Sequence, residues 1–206
     1  MKTPILGGAY VARSVNAANN RMVNLFPEAV PEGSGGKEAG FLSRCPGLSL
    51  LQTVGTGPIR ALWAHQTNGS DFYVVSGSSV YKLTGVNATP TLLGTVTGTG
   101  PVSIADNGTQ IFFACNPDGY IYNESTNVFA QITDPDFPGA VTVQYLDGYF
   151  VFNEPDSQLL WITSLLDGTS IDPLDFASAE GSPDGIVAIA VTHRELWVFG
   201  SDSVEV

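Results

Sequence analysis

Four short runs of aromatic and β-branched residues recur along the chain. They are Phe72-Tyr73-Val74-Val75, Ile111-Phe112-Phe113-Ala114, Tyr149-Phe150-Val151-Phe152 and Leu196-Trp197-Val198-Phe199. Each follows a turn signal: Asn68-Gly69, Asn107-Gly108, Asp147-Gly148 and the polar His193-Arg194-Glu195. Dense apolar runs entered through such turns read as buried strands. Their starts are 39, 38 and 47 residues apart. A repeat at that period is the mark of stacked supersecondary units.

The flanking segments complete each unit. The first pairs Ile59–Trp63 with the Phe72 run, then adds Ser79–Leu83 and Thr91–Val96. The second pairs Val102–Ile104 with the Ile111 run, then adds Tyr120–Tyr122 and Val128–Ile132. The third pairs Val141–Tyr145 with the Tyr149 run, adds Leu159–Ile162, and ends in a longer irregular stretch from Asp167 to Asp184. The fourth begins at Ile186–Ala190, passes through Trp197 and stops at Ser203–Val206. Four short strands in about 40 residues is the period of a β-propeller blade. One such sheet leaves two apolar faces exposed, and stacking blades buries both. The pattern therefore predicts an all-β, β-propeller-like fold with blades at 58–100, 101–139 and 140–185. A partial blade at 186–206 leaves it incomplete at the C-terminus. Three blades and part of a fourth do not close a ring, so the natural protein is expected to be longer, or its missing edge is supplied by another chain or by the N-terminal segment.

Residues 1–57 read differently, as an irregular N-terminal arm with short strands. Gly7-Gly8 and Pro31-Glu32-Gly33-Ser34-Gly35-Gly36-Lys37 break any periodicity, and the second of these reads as an exposed loop. Phe41–Leu48 and Leu50–Val54 suggest a strand, a Pro-Gly turn and another strand. Ala12–Asn20 has room for one helical turn.

Composition narrows the function classes. The chain has 206 residues, 43% of them hydrophobic and 14% charged, with 23 Gly and 13 Pro. Eight basic residues face 20 acidic ones, for a net charge of −12. Binding to a phosphate backbone needs clustered Lys and Arg; here they are scattered, so tight DNA binding is not expected. An acidic wall that repels DNA is compatible with this balance. Cys45 and Cys115 are 70 residues apart and read as two unpaired, buried thiols in a reducing compartment. The amino terminus makes a poor secretory signal. No stretch approaches the ~18 apolar residues of a membrane span, so no membrane insertion is expected. The Asn-x-Ser/Thr sequons at Asn68, Asn87, Asn107 and Asn123 read as turn chemistry.

No catalytic constellation emerges, and the chain is read as a non-enzyme. With His65 and His193 as the two histidines and no Cys-x-x-Cys, no metal set and no cofactor are expected. Asp134-Pro135-Asp136 opens like a calcium loop, but Pro138 and Tyr145 occupy later ligand places. Asp167, Asp172, Asp175 and Asp184 read as solvated turn residues and strand-end caps. Neither histidine accompanies a Gly-x-Ser-x-Gly elbow, and Gly33–Gly36 lacks the strand and helix of a phosphate loop. Trp63, Trp161 and Trp197 sit within strands, where packing is the expected role. The alternative they leave open is a carbohydrate-binding or carbohydrate-active propeller that uses the acidic loops and tryptophan faces.

Two segments carry a family resemblance. The first runs through Gly7-Gly8-Ala9-Tyr10, Ala12-Arg13-Ser14, Arg21, Asn24-Leu25-Phe26-Pro27-Glu28 and Cys45-Pro46-Gly47-Leu48. The second runs from Trp161-Ile162-Thr163-Ser164-Leu165 through Phe176–Ile186 to Trp197–Ser201. In order and spacing they resemble the packaged-DNA stabilisation proteins of short-tailed bacteriophages, also called tail accessory factors or tail hub (nozzle) proteins. The resemblance implies a non-enzymatic virion protein, assembled in the host cytoplasm and resident in the phage tail. It implies a homo-hexameric ring below the portal and its adaptor ring, with contacts to tailspike and tail-needle proteins. It further implies stabilisation of packaged DNA and transient, non-adhesive contact with that DNA during ejection. Relatives continue well beyond the position of Val206. The candidate partner-interface residues are those of the irregular arm: Tyr10, Arg13, Arg21, Asn24, Phe26 and Glu28. Latching of the propeller by this arm as an edge strand is the simpler role.

Overall fold

A computed structural model describes residues 23–30, 40–65, 71–85 and 87–206, and among them there are strands and turns but no helix. The chain divides into two compact units, Met1–Leu50 and Leu51–Val206. In the smaller unit β1 (Leu25–Ala29) pairs antiparallel with β2 (Gly40–Arg44). Residues 51–57 belong to the larger unit.

The larger unit is a succession of antiparallel meanders. The first sheet is β3 (Ile59–Ala64), β4 (Phe72–Ser76), β5 (Ser79–Thr84) and β6 (Thr89–Thr95). The second is β7 (Ser103–Asp106), β8 (Gln110–Ala114), β9 (Gly119–Asn123) and β10 (Val128–Gln131). The third is β11 (Val143–Leu146), β12 (Tyr149–Asn153), β13 (Leu159–Ser164) and β14 (Asp167–Ser178). The fourth has three strands, β15 (Ile186–Thr192), β16 (Glu195–Gly200) and β17 (Val204–Glu205). Within every sheet the spatial order is the chain order. The fold is therefore all-β and propeller-like, with sheets that do not close a ring.

Alternation along the second strand of each sheet dictates the stacking, because successive side chains point to opposite faces. Ile111 and Phe113 of β8 pack with Tyr73 and Val75 of β4 in a core between the first and second sheets. Phe112 and Ala114 point the other way, into a core with Phe150 and Phe152 of β12. Val151, between those two phenylalanines, joins Leu160, Ile189 and Val198 in a third core against the fourth sheet. One strand thus feeds two interfaces. That is why these runs are apolar at every position, as strands buried on both faces are.

The turns follow the local chemistry. Asp147 and Gly148 both have positive φ (48° and 101°), as a two-residue hairpin with right-handed strand twist requires. Asn107 Oδ1 accepts from the backbone N–H groups of Thr109 and Gln110 at 3.0 and 2.7 Å. Asn123 Oδ1 does the same for Ser125 and Thr126 at 3.0 and 3.2 Å. These two sequon asparagines are turn residues. Gly57 and Gly77 approach so closely that a Cβ on Gly57 would meet the Gly77 Cα at 2.5 Å.

Three expectations change. The strand expected at Leu50–Val54 does not form. Val54 instead packs against the cluster of Val74, Leu83 and Ala88 on the open face of the first sheet, and its backbone pairs in no ladder. The stretch after Asp167, expected to be irregular, is the 12-residue strand β14. Its register with β13 shifts twice, and those shifts absorb Pro173. Cys45 is exposed rather than buried. It follows β2, where its N–H donates to the Asn24 carbonyl at 3.0 Å. Cys115 is buried, and burial pushes its thiol up to about 12. The helical turn expected at Ala12–Asn20 lies outside the described residues.

Candidate functional site

Among the described residues, one constellation of titratable side chains is brought together from several elements. It forms where the first and second sheets meet. Glu124 follows β9, and its Oε1 accepts from Lys82 Nζ of β5 at 2.8 Å and from the Tyr73 hydroxyl of β4. Its Oε2 lies 3.1 Å from His65 Nε2. Lys82 Nζ also pairs with Asp71 Oδ2 at 3.2 Å and sits 5.8 Å from the centre of the Tyr73 ring. The sequence signal for this cluster is weak, because its members are scattered over residues 65–124 and meet only when two sheets stack.

The electrostatics describe a closed, satisfied set. Burial works against charge on Glu124, but hydrogen bonds from Lys82 and Tyr73 outweigh it and hold the carboxyl below its ordinary value. Burial likewise opposes charge on Lys82, and its bonds to Glu124 and Asp71 raise its pKa above the ordinary lysine value. Burial, followed by the bond to Glu124, pushes the Tyr73 phenol far up. A general base or nucleophile needs a group poised to change protonation near its working pH. Here carboxylate and ammonium are both driven away from that range. The arrangement serves as an ionic clasp between two blades.

The carboxylates flagged in the loops also have structural employment. Asp134 accepts from the backbone N–H of Asp136 and of Ile171 at 3.0 Å each. Asp172 caps Leu174 N at 2.9 Å. Burial opposes the charge on Asp167, but bonds from Thr169 and Gln110 lower its pKa overall. Asp184 takes the N–H groups of Asp202 and Ser203 at 2.8 and 3.1 Å, and its pKa is lowered by them. No group of three or more His, Cys, Asp or Glu side chains placed to hold one metal ion occurs among the described residues.

The tryptophans are packing residues. Trp63 Nε1 donates to Asp106 Oδ2 at 2.6 Å, and its ring borders the first core. Trp161 Nε1 donates to Glu154 at 3.1 Å, and its ring lies 5.3 Å from Phe176. Trp197 is half-buried in β16.

Charge is distributed unevenly along the chain. Residues 51–206 carry 17 acidic side chains and three basic ones, Arg60, Lys82 and Arg194. Lys82 belongs to the clasp. Arg194 is bonded to Asp147 at 2.7 Å. The Arg60 guanidinium donates to the carbonyls of Gly100, Gly77 and Thr97 at 2.6, 2.9 and 3.0 Å. At the end where the sheets are joined to one another, the turns hold Asp118, Glu154, Asp156 and Asp202, and the links hold Asp134, Asp136, Glu180 and Asp184. Within the larger unit Arg60 is the sole base near that end among the described residues, and its donors are spent on backbone.

Of the six candidate interface residues, Tyr10, Arg13 and Arg21 lie outside the described residues. Asn24 has a positive φ of 55° at the entry to β1. Phe26 is exposed, and Glu28 Oε2 accepts from Ser43 Oγ at 2.6 Å across the hairpin. Phe26 and Glu28 alternate onto one face of that hairpin, opposite Ser43 and Phe41.

Comparison with known proteins adds the following. A phage-stabilisation family model described as "Bacteriophage P22 Gp10, beta-propeller" matches residues 1–206. No curated protein sequence matches the chain. Solved structures share the fold at low identity. BamB from Moraxella catarrhalis is 12% identical with a TM-score of 0.52, over 72% of this chain and 42% of its own. The computationally designed Ika4 protein is 11% identical with a TM-score of 0.55, over 78% of this chain and 97% of its own. U3-55K is 12% identical with a TM-score of 0.51, over 72% of this chain and 47% of its own. The chain thus spans less than half the length of BamB and U3-55K. These likenesses concern fold alone.

Proposed function

From the premise that this chain belongs to the phage-stabilisation family of β-propeller proteins, we propose that it is a structural component of a short-tailed phage tail. In this reading it forms part of the tail hub or nozzle ring below the portal, stabilises packaged DNA and lines the ejection channel. The observation that carries the reading is the family match along the whole of residues 1–206. The charge distribution supports it. DNA passing a wall rich in carboxylates, whose few bases are engaged, meets repulsion and no phosphate anchors. The titratable cluster supports it as well, since it is arranged for rigidity and not for proton transfer.

The partners in this reading are copies of the chain in a homo-hexamer, the portal-adaptor ring, the tailspikes and the tail needle. The N-terminal residues Tyr10, Arg13, Arg21, Asn24, Phe26 and Glu28 are the contacts proposed for them. The test is co-elution of the purified chain with the purified adaptor ring on size-exclusion chromatography, beside a glycan array. Association with the ring and silence on the array support the proposal. Glycan binding without ring association overturns it.

A further inference from the structure

Asn107 and Asn123 hold their turns by the same bonds, but only Asn107 is followed by glycine. Each side-chain oxygen accepts from two backbone N–H groups, those of Thr109 and Gln110 for Asn107 and those of Ser125 and Thr126 for Asn123. The peptide nitrogens that follow the two asparagines differ. The Glu124 N–H donates to the Thr109 carbonyl at 2.9 Å. The Gly108 N–H donates instead to a carboxylate, Asp106 Oδ1, at 3.2 Å. Asp106 is 2% exposed, and its Oδ2 accepts from Trp63 Nε1 at 2.6 Å, so the carboxylate is fixed in place. Asn107 and Gly108 are half-buried and Thr109 is exposed, so water reaches the turn.

An asparagine side chain closes into a cyclic imide when the next peptide nitrogen attacks its amide carbon. That step needs a base for the peptide N–H, stabilisation of the charge that builds on the amide oxygen, and a short, unobstructed approach. This turn supplies each of them. Asp106 faces the Gly108 N–H. Two backbone donors sit on Asn107 Oδ1 at 3.0 and 2.7 Å. Gly108 has no Cβ to obstruct the closure.

We propose that Asn107 is a site of spontaneous deamidation, with Asp106 as the base. The bond from Gly108 N to Asn107 Cγ forms as Asp106 takes the proton. The Cγ–Nδ2 bond breaks, and the proton departs with Nδ2 as ammonia. Water then opens the imide to an aspartyl or isoaspartyl residue at position 107. Asn107 Nδ2 donates to the Leu166 carbonyl at 3.4 Å. The product loses that bond between the second sheet and the β13–β14 turn, and sets a carboxylate against the carbonyl. The reaction therefore loosens the seam between the second and third sheets as the protein ages. It is independent of any role in a phage tail.

The test is peptide mapping by mass spectrometry of the full chain held at neutral pH. Asn107 should convert about tenfold faster in the folded chain than in urea, while Asn123 stays unchanged. Asp106→Asn should slow the conversion about a hundredfold, with circular dichroism to show that it folds. If it does not fold, the wild-type pH profile decides. With a built-in base the rate should change less than about tenfold between about pH 6 and 8, whereas attack driven by hydroxide rises about tenfold per pH unit. Conversion no faster in the folded chain than in urea, equal conversion at Asn123, an undiminished rate in folded Asp106→Asn, or the hydroxide profile overturns the proposal.

Discussion

Lys82 of the first sheet and Glu124 of the second meet at 2.8 Å across the inter-sheet boundary. Their side chains are 19% and 21% exposed, so the pair is only partly screened. Asp71 and His65 lie on its flanks. Lys82→Met removes the one cation between two carboxylates and should cost about 3 kcal/mol, as loss of one partner of a buried pair does. Glu124→Gln keeps an acceptor for Tyr73 and should cost about 1.5 kcal/mol. Urea unfolding of the two variants checks both the sizes and their order.

The same pair sets a pH dependence. The Glu124 pKa lies below its ordinary value of 4.5 in the folded chain. Its contribution is therefore present above pH 4.5 and is lost as pH falls through the lower native value. The Lys82 pKa lies above 10.5, so its contribution is present below that pH and is lost as pH rises through the higher native value. The stability gap between wild type and Glu124→Gln should shrink as pH falls below 4.5. Lys82, Tyr73 and His65 are the titratable groups in contact with Glu124, and the Lys82 and Tyr73 values move up, away from this acid limb. Urea midpoints measured across acid pH decide it.

Phe112 is fully buried, with ring centres of Phe150 and Phe152 at 5.6 and 5.8 Å. Phe112→Ala should cost about 3–5 kcal/mol through lost burial and a residual cavity. Val128→Ala, at a site 54% exposed, should stay within about 0.5 kcal/mol. Thermal unfolding of the pair tests whether the core lies between sheets, as described.

Asn153 links the third sheet to the fourth. Its Oδ1 accepts from Thr142 N and Thr142 Oγ1 at 2.9 and 2.6 Å, and its Nδ2 donates to the Ile186 carbonyl at 3.3 Å. Asn153→Leu leaves those groups unsatisfied in a fully buried place and should cost about 2–4 kcal/mol. Hydrogen exchange should accelerate first in Ile186–Thr192, the strand this bond anchors.

The propeller pattern was legible because turn chemistry is local. Asp147-Gly148 announces a hairpin through positive φ at both residues, Asn107-Gly108 through the positive φ of Gly108 and the turn bonds that Asn107 accepts, and the Tyr149–Phe152 run announces a strand buried on both faces. β14 was not legible. Its bulge is stabilised by Asp134, far back in the sequence, and Pro173 argues against a strand. The Leu50–Val54 misreading has the converse cause, since an apolar β-branched segment can satisfy its burial by tucking in Val54 without joining a ladder. The clasp was hidden because His65, Asp71, Lys82 and Glu124 belong to separate turns and strands, which only sheet stacking brings together. Of the arm residues, Asn24, Phe26 and Glu28 fall on a hairpin that the sequence suggested only as short strands.

The proposed role is retention of packaged DNA in a short-tailed phage particle. Its most direct measurement is nuclease protection of the genome in particles filled with and without the protein. Loss of the genome from particles assembled without it, and retention when it is restored, is the predicted result. Particles that keep a nuclease-resistant genome in its absence would contradict the account.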